Sequence, residues 1–287
     1  MITVSASVAQ AVGHLAWTDW GFEPTVTLGL LALVAAYVVL VRRGWIDDAD
    51  DVSPWFASAQ TRPLLFALGV ATAYVALQSP IDKGGDLYLL SIHMVQHLLL
   101  MMVAPPLLLL GIAGMRSVHA RRWPRWRALS RWLTRLWPAT ILFNAVLLVW
   151  HIPALYDDTL TTEPIHVLEH LTFIAVGVIF WWPIVDPLRG PDTVPVGSFA
   201  KITALVLAGI PPTVLGFVLA LSNSVVYDFY ARAPRLWGIS PLDDQRAAGV
   251  IMLGLGNLIY FAAISIIFLR LFGNPEDDER GAEVAPS

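Results

Sequence analysis

Seven stretches of this chain are apolar over lengths near the roughly 20 residues a helix needs to cross the hydrocarbon core of a bilayer. They run near 25–41, 63–78, 88–115, 137–153, 166–185, 199–221 and 247–272 and leave no stretch large enough for a soluble domain. Lipid offers backbone groups no water, so segments of this kind are expected to be helices. With 56% hydrophobic and only 14% charged residues, the 287-residue chain has too few ionic groups to clothe a water-soluble globule. The expected fold class is all-α, an integral membrane bundle of seven transmembrane helices. Residues 1–272 are expected to form a single membrane domain, and 273–287 a disordered acidic cytoplasmic tail. No nucleic-acid partner is expected. The first 24 residues carry no Lys or Arg and do not resemble a cleavable signal peptide, so the N-terminus is read as mature.

Orientation follows from the basic residues, which are retained on the cytoplasmic side. One set of alternate loops holds 14 of the 18 Lys and Arg, including seven arginines from Arg116 to Arg135; the other holds Lys83, Arg232, Arg235 and Arg246. The N-terminus is therefore expected outside and the C-terminus in the cytoplasm. In the Arg116–Trp137 stretch, arginines alternate with Trp123, Trp126, Trp132 and Trp137, as suits a segment lying against anionic headgroups. Pro105-Pro106 and Pro211-Pro212 fall within spans and are expected to kink or interrupt their helices.

The topology sends five of the seven histidines to one depth. His93 and His97 lie in the outer part of the third span, His151 where the fourth emerges, and His166 and His170 at the start of the fifth. An i, i+4 pair places two imidazoles on one helix face, where both can reach one ion or two neighbouring ions. Histidines below the membrane boundary are costly in lipid and are expected to face the bundle interior. A single histidine near a helix end can simply sit in the headgroup region, hydrogen-bonded to a carbonyl. Five at one depth point to a metal or cofactor site.

The chain has no cysteine, which removes thiolate centres and leaves imidazole, thioether and carboxylate ligands. Imidazole suits zinc, copper and iron; thioethers favour Cu(I), and Met94, Met101 and Met252 are at hand. The expected metal set is His93, His97, His151, His166, His170, Met252 and Asp244. Other outer carboxylates, among them Asp82, Asp86 and Asp157, form either a solvated rim or a set that attracts cations and orients ligating imidazoles through the second ring nitrogen. Glu169, beside His170, is the residue best placed to orient an imidazole through its second ring nitrogen.

The run SIHMVQHLLLMMVAPPLLLLG (91–111) resembles the signature of the CtaG-type cytochrome c oxidase assembly factors, a family of seven-span bacterial membrane proteins. So do WHIPALYDDTL (150–160), IHVLEHLTFIAVGVIFWWPI (165–184) and PLDDQRAAGVIM (241–252), in the same order. The positions carried over are His93, His97, His151, His166, His170, the Asp244-Gln245 pair, Gly249 and Met252. Many relatives have a tryptophan after that methionine, where this chain has Leu253. The resemblance implies a non-enzymatic role in maturing a haem-copper oxidase, with copper bound and delivered at the extracytoplasmic face of the bacterial plasma membrane. It implies oxidase subunits or an extracytoplasmic copper carrier as partners, alongside membrane lipid.

Two other classes can use the same residues. A seven-span zinc-dependent membrane hydrolase would take three histidines, with Asp244 or Glu169 as general base, although HExxH is absent. A bis-histidine haem protein would pair rings on facing helices, such as His97 and His170.

Overall fold

Prolines set where many of the helices begin, because a proline in the first turn loses no hydrogen bond and has its φ already fixed. Prolines occupy the first or second position of α1 (Pro24–Arg42), α2 (Arg62–Gln78) and α3 (Pro80–Leu87). The chain continues through α4 (Leu90–Leu98), α5 (Ala104–Gly111), α6 (Pro124–Leu133), α7 (Leu136–Trp150), α8 (Pro153–Thr161), α9 (Glu163–Val185), α10 (Ser198–Leu221), α11 (Asp228–Arg232), α12 (Pro241–Ile251) and α13 (Asn257–Gly273). This computed structural model describes residues 13–46, 58, 60–116, 124–189 and 196–273. The expected disordered tail lies, apart from residue 273, outside the described residues, as does part of the arginine-rich stretch. Besides helix, the described residues hold a two-residue parallel pairing, Met115–Arg116 with Leu188–Arg189.

Five helices are long and apolar enough to cross a membrane, or up to seven if each of two bent pairs counts as one span. The bent pairs are the second and fourth expected spans. At 17 and 15 residues, α2 and α7 rise about 26 and about 23 Å, short of a typical hydrocarbon core of about 30 Å. Each turns at a proline, α2 into α3 by 42° and α7 into α8 by 73°.

The two Pro-Pro pairs behave differently. Pro105-Pro106 opens α5 directly after a π-helical turn, Leu99–Val103, that joins it to α4. Pro211-Pro212 lies inside α10, which runs on without interruption. The missing proline N–H groups would leave the carbonyls one turn back unpaired. The Tyr260 hydroxyl of α13 donates to one of them, Ala208, at 3.4 Å, a repair by a neighbouring helix. A second π-helical turn, Met252–Gly256, joins α12 to α13, and no sequence pattern announced it.

Aromatic and aliphatic side chains of α7, α9, α10 and α13, with Phe143, Phe173, Phe180 and Leu205 at the centre, form the main core. Outward faces of α1, α10 and α13 stay apolar and exposed, as at Leu31, Val214, Phe217 and Leu269. The α10–α12 contact depends on close approach: a Cβ on Gly249 would sit 2.5 Å from the Gly216 carbonyl oxygen and 2.6 Å from the Ala220 nitrogen. Backbone cannot yield as a side chain does. Gly249→Ala is therefore expected to cost about 1–3 kcal/mol and to lower the melting temperature in detergent. Gly254→Ala, where a Cβ meets nothing within 4 Å, serves as the neutral control. Equal melting for the two variants would contradict this packing.

Candidate metal centre

Helix ends meet at one end of the bundle: the start of α4, the end of α7 and the start of α9. The i, i+4 pairs bring His93 and His97 to a ring separation of 4.2 Å and His166 and His170 to the same distance. Between helices, His93 lies 5.8 Å from His166 and 6.0 Å from His170. His97 lies 5.7 Å from His170 and 6.1 Å from His151. All five imidazoles are buried, His93 completely.

Carboxylates join this group from two sides. Glu169 is fully buried, with one oxygen 3.8 Å from His97 Nε2. Asp86 of α3 lies 3.4 Å from His166 Nε2. Ligand atoms of His93, His97, Glu169 and His170 all fall within 4.8 Å of one another, as do those of Asp86, His93 and His166. The sequence pointed to Glu169 as an orienting group or general base, and it did not single out Asp86 among the outer carboxylates, because nothing local shows that α3 folds back over α4. That fold-back needs Gly85, where a Cβ would come within 2.9 Å of His93 Cα.

The hydrogen bonds settle which ring nitrogens are free. His151 Nδ1 lies 2.7 Å from the Leu147 carbonyl, which can only accept, so Nδ1 carries the proton and Nε2 keeps its lone pair. Tyr230 donates its hydroxyl proton to the Gly85 carbonyl at 2.7 Å, so its oxygen accepts from His93 Nδ1 at 2.8 Å. Burial pushes the Tyr230 phenol up, and neighbouring Asp86 adds to it, so the phenol stays a donor at neutral pH. Tyr156 stands on the same ring nitrogen at 3.1 Å. No sequence spacing pointed to either tyrosine.

The remaining donor atoms make no hydrogen bond. His93 Nε2, both His97 nitrogens, Nε2 of His151, His166 and His170, and both Glu169 oxygens are buried without a hydrogen bond. Each such atom costs about 1–3 kcal/mol of lost solvation. Converging lone pairs with a nearby carboxylate form a donor set that fits a transition-metal ion of the imidazole-preferring kind. The second nitrogens of His93 and His151 are fixed by oxygen partners, as metal-bound imidazoles require.

Two predicted residues stand elsewhere. Asp244 is not brought among the histidines: its carboxylate accepts from Leu90 N at 2.7 Å, Ser91 N at 3.0 Å and Ser91 Oγ at 2.5 Å. It thereby caps α4, whose own N-cap residue, Leu89, supplies no side-chain bond. Gln245 accepts from Val226 N and donates to Leu219 and Ser224 carbonyls, tying α12 to the end of α10. Met252 is on the wall of a cavity that His97 and His151 also line.

Tyr230→Phe removes the nearer of the two hydroxyls on His93 Nδ1, leaving only Tyr156 at 3.1 Å, and leaves the Gly85 carbonyl without the hydroxyl that donates to it. Affinity for added Cu(II) or Zn(II) is expected to fall about 10–100-fold with stoichiometry retained, read by competition against a chelator. Unchanged affinity would detach Tyr230 from the centre.

Residues 35–274 match the family model for the cytochrome c oxidase caa3 assembly factor. Similar proteins include an uncharacterized protein of Mycobacterium bovis, 29% identical over 185 residues that make up 58% of this chain and 28% of that relative. An uncharacterized protein of Mycobacterium leprae is 26% identical over 258 residues, 82% of this chain and 37% of the relative. The chain thus spans roughly a third of the length of the curated relatives it matches. No solved structure matches it.

Proposed function

The chain belongs to the cytochrome c oxidase caa3 assembly factor family, and from that premise we propose that its histidine centre holds copper as cargo and passes it to an oxidase subunit. In this reading the chain crosses the bacterial plasma membrane seven times with its N-terminus outside. The centre opens to the extracytoplasmic face. The bent pairs α2–α3 and α7–α8 each complete one span, and the bias of Lys and Arg in the loops supports the orientation.

The observation that carries the proposal is the convergence of buried, unpartnered imidazole nitrogens from α4, α7 and α9. An apolar bundle gains nothing from such atoms unless a ligand satisfies them. His93, His97, His170 and Glu169 would hold the ion. His151, His166 and Asp86 stand close enough to exchange with them. More donors than one ion requires suit a carrier, since an ion moves by swapping ligands one at a time. The crowding of rings, with neighbours 4.2 to 6.1 Å apart, favours a bare ion over haem, which needs a flat slot between two axial imidazoles.

Full-length protein purified in detergent is expected to carry copper near stoichiometry after loading. The bound ion should raise the melting temperature, because it binds the folded state alone. His97→Ala combined with His170→Ala is expected to abolish both the bound copper and the thermal shift while circular dichroism stays helical. Elemental analysis finding undiminished copper in a folded double variant would remove this centre from consideration.

A further inference from the structure

Directly below the imidazoles lies a cavity of about 40 Å³ walled by Met94, Met101, Met102 and Met252 together with His97 and His151. The chain has six methionines in all, and four of them meet at this one place. Their backbone setting is unusual as well. Met101 and Met102 belong to the π-helical turn Leu99–Val103, and Met252 opens the π-helical turn Met252–Gly256. Single π turns within α-helices occur often at functional sites, since the extra residue turns side chains out of register. Here two such turns, on different helices, border one cavity.

Polar atoms of the cavity wall separate into satisfied and unsatisfied. Thr213 and Asn257 hydrogen-bond each other, and Asn257 also donates to the Leu253 carbonyl. Tyr260 donates to Ala208. His97, with both ring nitrogens unpartnered, and His151, with Nε2 unpartnered, are each more than nine-tenths buried. The donors left to a ligand here are thus imidazole nitrogen and thioether sulfur.

We propose that this cavity is a second metal station, selective for a soft monovalent ion, Cu(I), and reached from the histidine centre through His97 and His151. Both donors are neutral, and the discriminating one is the thioether, a soft, polarizable ligand that favours Cu(I), whereas imidazole serves Cu(I) and divalent ions alike. Ion charge points the same way. The cost of bringing an ion into a low-dielectric interior rises as the square of its charge, so a wall without a carboxylate discriminates against a divalent ion. Glu169 and Asp86, the nearby carboxylates, belong to the upper centre and do not line this cavity. The proposal extends the copper reading above and separates two stations by ligand chemistry: carboxylate and imidazole above, sulfur and imidazole below. No redox step is part of it; the ion enters the lower station already reduced.

The test titrates full-length detergent-purified protein with Cu(I), kept reduced under anaerobic conditions, against bicinchoninate, and in parallel with Cu(II). Met101→Leu combined with Met252→Leu preserves side-chain volume and apolarity while removing two sulfurs. The double variant is expected to lose one bound Cu(I) per chain and to keep its Cu(II) uptake. X-ray absorption of the Cu(I)-loaded wild type should show sulfur neighbours, a readout that does not depend on any variant folding. Undiminished Cu(I) in the folded variant, or nitrogen and oxygen neighbours alone in the wild type, overturns the methionine station and leaves the upper centre standing. Failure of the wild type to take up Cu(II) would instead strike the upper centre and, with it, the proposed route into the lower station.

Discussion

An imidazole nitrogen buried in an apolar helical bundle has no water to turn to, and this centre holds several of them without a protein partner. Packing of this kind is a standing cost against the fold. The surrounding residues hold it in place: Asp244 caps the helix that carries His93 and His97, Gly85 lets α3 close over His93, and Tyr230 fixes that ring's second nitrogen. Each contact spends a polar group or a close approach on keeping free lone pairs pointed at one another. A cation shared among them would offset the desolvation that the bundle otherwise bears.

The same economy explains the helices' irregularities. Pro212 and residues of both π-helical turns line the cavity, so departures from regular helical hydrogen bonding border the space within the bundle. Neighbours then make good the loss, as Tyr260 does for the Ala208 carbonyl. Gly249 against Gly216 holds α12 tightly to α10 just above the turn that carries Met252. Rigid close packing on one side and an opened helix on the other leave the methionine-lined cavity between them.

Much of this was legible in the sequence because membrane helices are read from length and apolarity alone, and i, i+4 histidines share a face on any helix. The span limits near 199–221 and 166–185 differ from α10 and α9 by only a few residues. What was not legible came from contacts between distant segments. Asp244 looks like a ligand beside Met252 in sequence, yet its oxygens are taken by backbone and side-chain donors 154 and 153 residues away. Asp86 could not be told from the other outer carboxylates until α3 folds over α4 and brings it to His166. Tyr156 and Tyr230 lie in short helices whose placement no periodicity fixes. Pro211-Pro212 suggested a broken helix, and its repair lies in α13, beyond the reach of local reading.

Pulsed electron paramagnetic resonance of the Cu(II)-loaded full-length protein tests the central claim most directly, because it counts the imidazole nitrogens coupled to the bound ion. The account predicts at least three inequivalent imidazoles on one copper, drawn from both α4 and α9, with the count dropping when either His97 or His170 is replaced. A spectrum showing one imidazole or none, unchanged by those replacements, would contradict it.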